Sequence, residues 1–249
     1  MSGHSKWSTI KHAKGIADAK RGQMFTKFIK EISIAARMGG GDIESNPRLR
    51  TAVLKARASS MPKDNIERAI KKGTGELGDK VFEELIYEGY APGGVAVLVE
   101  TLTDNKNRAA ADIRNFFTKN GGNLGVTGSV SRMFTRKGQI EYDSEKVSED
   151  DIMEPALDAG AEDINTEDGV ITVTCDPAAF DKVLEALQAK GFESLSAEVA
   201  MIPEAYTPVD VSTATKVQKL INKLEEDDDV QNVYSTVEFP DDFDPDSVE

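Results

Sequence analysis

At Gly73 the chain changes character, and that break constrains its fold more than any other feature. Before it, apolar residues recur with a helical period among basic ones. After it come short apolar runs, turn residues and a large excess of acid. Residues 1–72 hold 16 Lys+Arg against 6 Asp+Glu, a net of +10, whereas residues 73–249 hold 14 against 38, a net of −24. The total of −14 taken alone argues against nucleic acid, but an asymmetry of this kind points to an anionic partner for the basic part. With a Debye length of about 10 Å at 0.1 M salt, the acidic remainder cannot cancel the local field of a separate basic face.

Within the basic part, residues 1–22 carry no sustained apolar period and are expected to form a basic arm. A helix is predicted with Phe25, Phe28, Ile29, Ile32 and Ala36 on one face, ended by Gly39-Gly40-Gly41. Asn46-Pro47 supplies the N-cap and first position of a second helix that turns Leu49, Ala52, Val53 and Ala56 inward. A third helix starts near Pro62, runs through Ile66, Ala69 and Ile70 and stops at Gly73. Three helices with short joints make a small bundle, since each can bury one stripe against the others.

Beyond Gly73, Leu85–Tyr87 and Val95–Val99 are strand-like runs around the turn-rich Gly89–Gly94. A helix with Ala109, Ile113, Phe116 and Phe117 on one face follows. Val130–Arg136 and Gln139–Tyr142 are then expected as strands split at Lys137-Gly138. From Gln139 to Ile202 the predicted order is strand, helix, strand, strand, helix, strand, the helices opening at Ser148 and at Asp176-Pro177: the ferredoxin-like split βαβ motif. A further helix through Val217, Leu220, Ile221 and Leu224 and a strand at Val230–Phe239 are too little for a domain. They are expected to complete the sheet begun before residue 137. The expected fold is therefore α+β: an N-terminal three-helix domain plus two α/β domains, the last ferredoxin-like and inserted in the second. The expected bounds are 1–22 for the arm, 23–78 for the helices, 79–137 plus 207–249 for the discontinuous domain and 138–206 for the insert.

A chain with 39% apolar and 30% charged residues is globular, and it contains no run of 18 apolar residues to span a bilayer. The first residues lack the apolar stretch of a secretory signal, and a single cysteine, Cys175, excludes an internal disulfide framework. A cytoplasmic location is expected.

The candidate site residues lie in the basic segment. Lys6, Trp7, Lys11, Lys14, Lys20 and Arg21 place cations and an indole on the arm; cations release counterions from phosphates, and an indole can stack on an unpaired base. On the second helix Arg48 with Lys55, and Arg50 with Arg57, are pairs seven residues apart on opposite flanks of the apolar stripe, and Lys27 adds to the supply. Any one of these cations is ordinarily a solvated side chain whose stem covers a small core. A net of +10 in an otherwise acidic chain favours the functional reading for the segment as a whole. Lys106 and Arg108, at a helix start, and the glycine-rich 121–129 turns are weaker candidates for a phosphate, with capping and turn formation the better account of the glycines.

Enzyme motifs are missing. Gly73-Thr74-Gly75-Glu76-Leu77-Gly78 has dinucleotide-loop spacing but follows a helix instead of a strand, and His4 and His12 are the only histidines. Cys175 ends a predicted strand with no nearby histidine. The acidic run Glu225–Asp229 lacks calcium-loop spacing and is expected to be a solvated helix end. The strand Val170–Cys175 lacks the interleaved aromatics of an RNA-recognition sheet. No cofactor, metal, membrane or small-molecule substrate is expected.

Several motifs in order then resemble the YebC/PmpR family. They are Gly3-His4-Ser5-Lys6-Trp7, Asp18-Ala19-Lys20-Arg21-Gly22, Asn46-Pro47-Arg48-Leu49-Arg50, Tyr87 through Gly94, Asp104 through Arg108, Lys119 through Gly125 and Ala159 through Asp163. The resemblance implies a bacterial cytoplasmic protein of three domains with the ferredoxin-like one inserted. It also implies a non-enzymatic regulator of gene expression, the family being described as DNA-binding transcriptional regulators. Mitochondrial relatives are translational activators, and bacterial members have been connected with ribosomes stalled on proline-rich stretches. Duplex DNA and ribosomal RNA are thus both expected partners. A third possibility is a scaffold whose acidic lobes bind a basic protein.

Overall fold

The computed structural model describes residues 18–77, 81–167 and 169–248. Three helices open it: α1 (Asp18–Gly39), α2 (Pro47–Ala58) and α3 (Lys63–Gly73). Helix α1 thus takes in residues 18–22, the end of the stretch expected as arm. The side chain of Asn46 explains the α1–α2 corner. Its Oδ1 accepts from the Leu49 amide at 3.1 Å, while its Nδ2 donates to the carbonyls of Ala35 and Gly40 at 2.8 Å each. Ala35, Ala36, Ala52, Ala56 and Ala69 line the bundle core with Ile32, Leu49, Val53, Met61 and Ile66. So many small residues bring the helix axes close. Gly73 extends this, since a Cβ there would lie 2.2 Å from the Ser33 carbonyl oxygen of α1.

The first sheet has strand order β3-β1-β2-β9, with β1 at Glu83–Tyr90, β2 at Ala96–Thr103, β3 at Asn123–Leu124 and β9 at Val230–Ser235. Helices α4 (Lys106–Lys119) and α7 (Val211–Glu225) cover one face, where Val97, Val99, Ile113, Phe117, Leu220, Ile221 and Val233 interlock. The C-terminal helix and strand do complete the sheet begun by β1 and β2. The last strand is shorter than expected. Thr236 is buried, and its Oγ1 accepts from the Ala96 amide at 3.0 Å. That contact interrupts the run, and β10 (Val237–Glu238) pairs in parallel with β8 (Thr207–Pro208).

The ferredoxin-like unit comprises β4 (Phe134–Asp143), α5 (Glu149–Ala159), β5 (Ala161–Glu167), β6 (Val170–Cys175), α6 (Phe180–Ala189) and β7 (Ser196–Pro203), in sheet order β5-β6-β4-β7. Two expectations are corrected here. The split at Lys137-Gly138 does not exist: β4 is continuous, preceded by a 3-10 turn at Ser131–Met133. Gly138 is in the strand because a Cβ there would lie 2.6 Å from Cys175 Sγ and 2.8 Å from the Phe180 ring. Helix α6 begins at Phe180, because Asp176 Oδ1 accepts from the Ala178 amide at 2.8 Å and holds the preceding residues in a turn.

Candidate nucleic-acid interface

Helix α2 is fully described and, unlike the equally described α3, carries its cations without an acidic residue. At 3.6 residues per turn, Leu49, Ala52, Val53 and Ala56 share one side and are buried. The opposite side presents Pro47, Thr51, Leu54 and Ala58, with Leu54 58% exposed. Arg50 and Arg57 flank this ridge on one side and Arg48 and Lys55 on the other. No acidic residue occurs in the helix.

The two flanks differ in their partners. Arg48 makes a forked contact with Glu31, Nε to Oε1 at 2.7 Å and Nη2 to Oε2 at 3.1 Å, and also reaches Glu84 of β1. Lys55 Nζ stands 3.5 Å from Glu198 Oε2 on β7. Burial alone would lower the basicity of Arg48, but the two carboxylates keep it firmly charged. On the other flank Arg50 donates to the Glu44 carbonyl at 3.2 Å, and Arg57 is exposed, with no carboxylate paired to it among the described residues.

Among the described residues, the remaining candidate cations do not converge on α2. Lys6, Trp7, Lys11 and Lys14 lie outside the described residues, as does the side chain of Lys20. Arg21 is exposed on α1. Lys27 turns towards the unit built on the first sheet, donating to the Glu225 carbonyl at 2.7 Å, where a cation meets the negative end of the α7 dipole. Lys106 is exposed at the start of α4. Arg108 folds back on Asp104 and Asp229, at 2.9 and 2.8 Å.

The acidic run after α7 is not simply a solvated helix end. Asp229 is 5% exposed and gathers three donors: Lys30 Nζ on Oδ1 at 2.5 Å, and Arg108 Nη2 and Thr103 Oγ1 on Oδ2, each at 2.8 Å. Lys30 donates to the Asp228 carbonyl as well, at 2.7 Å. Burial would raise the Asp229 pKa, but Lys30, Arg108 and Thr103 together hold it below the ordinary carboxylate value. Asp227 behaves oppositely. Burial pushes its pKa up against the hydrogen bond from the Asp229 amide, and the charges of Asp229 and Asp112 oppose ionisation as well. A cleft of about 620 Å³ opens here between α1, Phe82 and the 226–229 turn, with Lys72 5.1 Å from the Phe82 ring centroid. The sequence alone reads Asp229 as part of a solvated helix end and gives no sign that Lys30, Glu84 or Glu198 is a partner in these contacts.

The glycine-rich turn is also already occupied. The buried carboxylate of Glu88 accepts from the amides of Gly128, Val130 and Ser131 at 2.7 Å each. The Gly125 amide donates to the Glu88 carbonyl, and those of Gly121 and Gly122 to the end of α4. The amides considered for a phosphate are therefore satisfied within the chain. On the ferredoxin-like sheet, the face away from α5 and α6 carries Gln139, Glu141, Thr172 and Thr174, without stacking aromatics. Cys175 is buried with its thiol pKa pushed up by burial. No group of three metal-ligating side chains occurs among the described residues, and none of their helices is long and apolar enough to cross a membrane.

Comparison with known proteins now settles the family. The model of the TACO1/YebC protein N-terminal domain matches residues 5–76, and that of the TACO1/YebC second and third domain matches residues 82–237. The chain belongs to the TACO1/YebC family. A Treponema denticola protein named probable transcriptional regulatory protein is 74% identical over 98% of both chains. A protein of the same name from Treponema pallidum is 70% identical over 96% of this chain and 98% of its own. Among solved structures, a conserved hypothetical protein from Aquifex aeolicus aligns with a TM-score of 0.82 at 49% identity, over 90% of this chain and 93% of that one. The family's α+β architecture is thus shared.

Proposed function

We propose that this TACO1/YebC protein is a non-enzymatic, nucleic-acid-binding regulator of gene expression, acting in the cytoplasm and gripping the phosphate backbone through its basic helical unit. The observation that carries this is helix α2, which holds four cations and no acidic residue of its own in a chain of net charge −14, with Arg50 and Arg57 paired to no carboxylate among the described residues. The arm residues Lys6, Trp7, Lys11 and Lys14, with Lys20, Arg21 and Lys27, would extend the same contact. The non-enzymatic character draws support from the regulatory names of the relatives and from the inert, buried setting of Cys175.

Transcriptional regulation on duplex DNA is the function those names favour. A ribosomal target is favoured by a specific feature: Pro47, Thr51, Leu54 and Ala58, at the centre of the α2 face, lack the forked donors and acceptors that read base edges. The decisive experiment sediments the protein with ribosomes across a salt series, with promoter-length duplex DNA as competitor. Retention on ribosomes near physiological salt, lost when Lys6, Trp7, Lys11 and Lys14 become alanine, supports a translation factor. Displacement by DNA, or no sedimentation, supports transcription. If neither nucleic acid binds, the proposed function is wrong.

A further inference from the structure

Helix α2 has two rows of cations, and only one of them is held by acid from other parts of the molecule. Arg48 and Lys55 form one row and Arg50 and Arg57 the other, each spaced about 10.5 Å along the axis at 1.5 Å per residue. At about 100° per residue the rows stand about 80° either side of a ridge made by the exposed Pro47, Leu54 and Ala58 and the half-buried Thr51. Arg48 is met by Glu84 from β1, and Lys55 by Glu198 from β7. These carboxylates belong to two different sheets and reach the same edge of the same helix. Their side chains are 46% and 39% exposed, so the pairs stand in water and are weak. Glu31 differs, since it sits on α1 in the same bundle and forks onto Arg48 wherever the bundle goes.

We infer that Glu84 and Glu198 are internal stand-ins for phosphate, masking one cation row of α2 until double-helical RNA displaces them. The inference rests on the helical unit being the nucleic-acid contact. Two parallel cation rows flanking a ridge match two phosphate strands flanking a groove. The ridge selects the duplex. Side chains of Pro, Leu and Ala gain nothing from the hydrogen-bonding edges of the DNA major groove. They fit the wide, shallow minor groove of A-form RNA, where sugar faces are apolar and the Thr51 hydroxyl can pair with a 2′-OH. Binding then exchanges two weak intramolecular ion pairs for phosphate contacts that release counterions, while the buried Lys30–Asp229 pair keeps the bundle fastened to the first sheet.

The test measures fluorescence anisotropy of the full chain with a 20-base-pair RNA duplex, and with DNA of the same sequence, across a salt series. Glu84→Gln with Glu198→Gln is expected to tighten RNA binding about threefold to tenfold and to change the salt slope by about one to two units. Arg50→Gln with Arg57→Gln is expected to weaken it and flatten the slope by about two. Leu54→Asp, on an exposed position where folding is undisturbed, is expected to abolish it. If wild-type protein binds RNA but the glutamate variants leave affinity and slope unchanged, the masking inference is overturned while the proposed function stands. Equal or tighter binding of DNA overturns the choice of RNA. No binding of either nucleic acid by wild type overturns the proposed function itself.

Discussion

Lys30 on α1 places its ammonium 2.5 Å from the Asp229 carboxylate, joining residues 199 positions apart and fastening the helical bundle to the first sheet. Both side chains are nearly buried, at 10% and 7% exposure, and the second carboxylate oxygen holds Thr103 and Arg108. Breaking such a pair from one side leaves an uncompensated charge. Asp229→Ala is therefore expected to cost about 3 kcal/mol, measured by urea unfolding. Asp229→Asn, which keeps the shape and one acceptor, should cost less. A loss under about 0.5 kcal/mol for the alanine variant would show that the pair is not what fastens the two units.

The same carboxylate sets an acid limit. Its folded pKa lies below the value of about 3.9 expected for an unfolded Asp, so its contribution is complete above that value. It is lost as the pH falls through the depressed folded pKa. Asp227, with a raised pKa, works in the opposite sense and gains as it protonates, which softens the onset. The melting temperature should be flat from pH 7 to about 5 and fall below about 4. In Asp229→Asn the fall should be shallower than in the wild type. A parallel fall in both proteins would assign acid denaturation elsewhere.

Much of the fold was legible because its signals are local. Asn46-Pro47 opens α2 through a side chain three residues from its amide partner, and Ser148 caps α5 in the same way. The strand–helix order that makes the ferredoxin-like unit follows from periodicity alone. What failed depended on distant neighbours. A glycine after Lys137 reads as a turn until Cys175 and Phe180 are known to press against it. The run Glu225–Asp229 reads as solvated until Lys27 and Lys30 arrive from 198 and 199 residues away. For the candidate site the cations were visible in the sequence, but their partners were not. Arg108 spends its guanidinium on Asp229, 121 residues distant, and Arg48 part of its own on Glu84.

Glu88 supplies a test of the glycine-rich turn. Its two carboxylate oxygens satisfy three amides, and those hydrogen bonds keep its pKa low against the pull of burial. Glu88→Ala leaves the amides of Gly128, Val130 and Ser131 without an acceptor, at a cost of about 2–4 kcal/mol. Hydrogen exchange at 128–131 should accelerate well beyond the exchange of β4. Glu88→Gln should lie between, since its amide group faces donors. Unchanged protection in the alanine variant would mean that other groups hold the turn.

Gly138→Ala tests why β4 runs unbroken. The new methyl would overlap Cys175 Sγ and Phe180, so a loss of about 1–3 kcal/mol is expected. Adding Cys175→Ala to the same chain should restore part of that loss, with Phe180 preventing full recovery. If the two changes are simply additive, Gly138 is not there to admit the thiol.

The ion pairs of α2 should behave unlike Lys30–Asp229. Glu84 and Glu198 are 46% and 39% exposed, and pairs of that kind contribute about 0–1 kcal/mol. Glu84→Gln and Glu198→Gln are each expected to shift unfolding free energy by no more than about 0.5 kcal/mol, with little dependence on salt above about 0.2 M. Arg48→Ala should cost more, because it also removes the forked contact to Glu31 and leaves that carboxylate half-buried without its cation. Substantial destabilisation by the glutamine variants would make Glu84 and Glu198 structural fasteners like Asp229. A helix so fastened could not release its Arg48 and Lys55 row at small cost, and the exchange of carboxylate for phosphate on α2 would fail on energetic grounds.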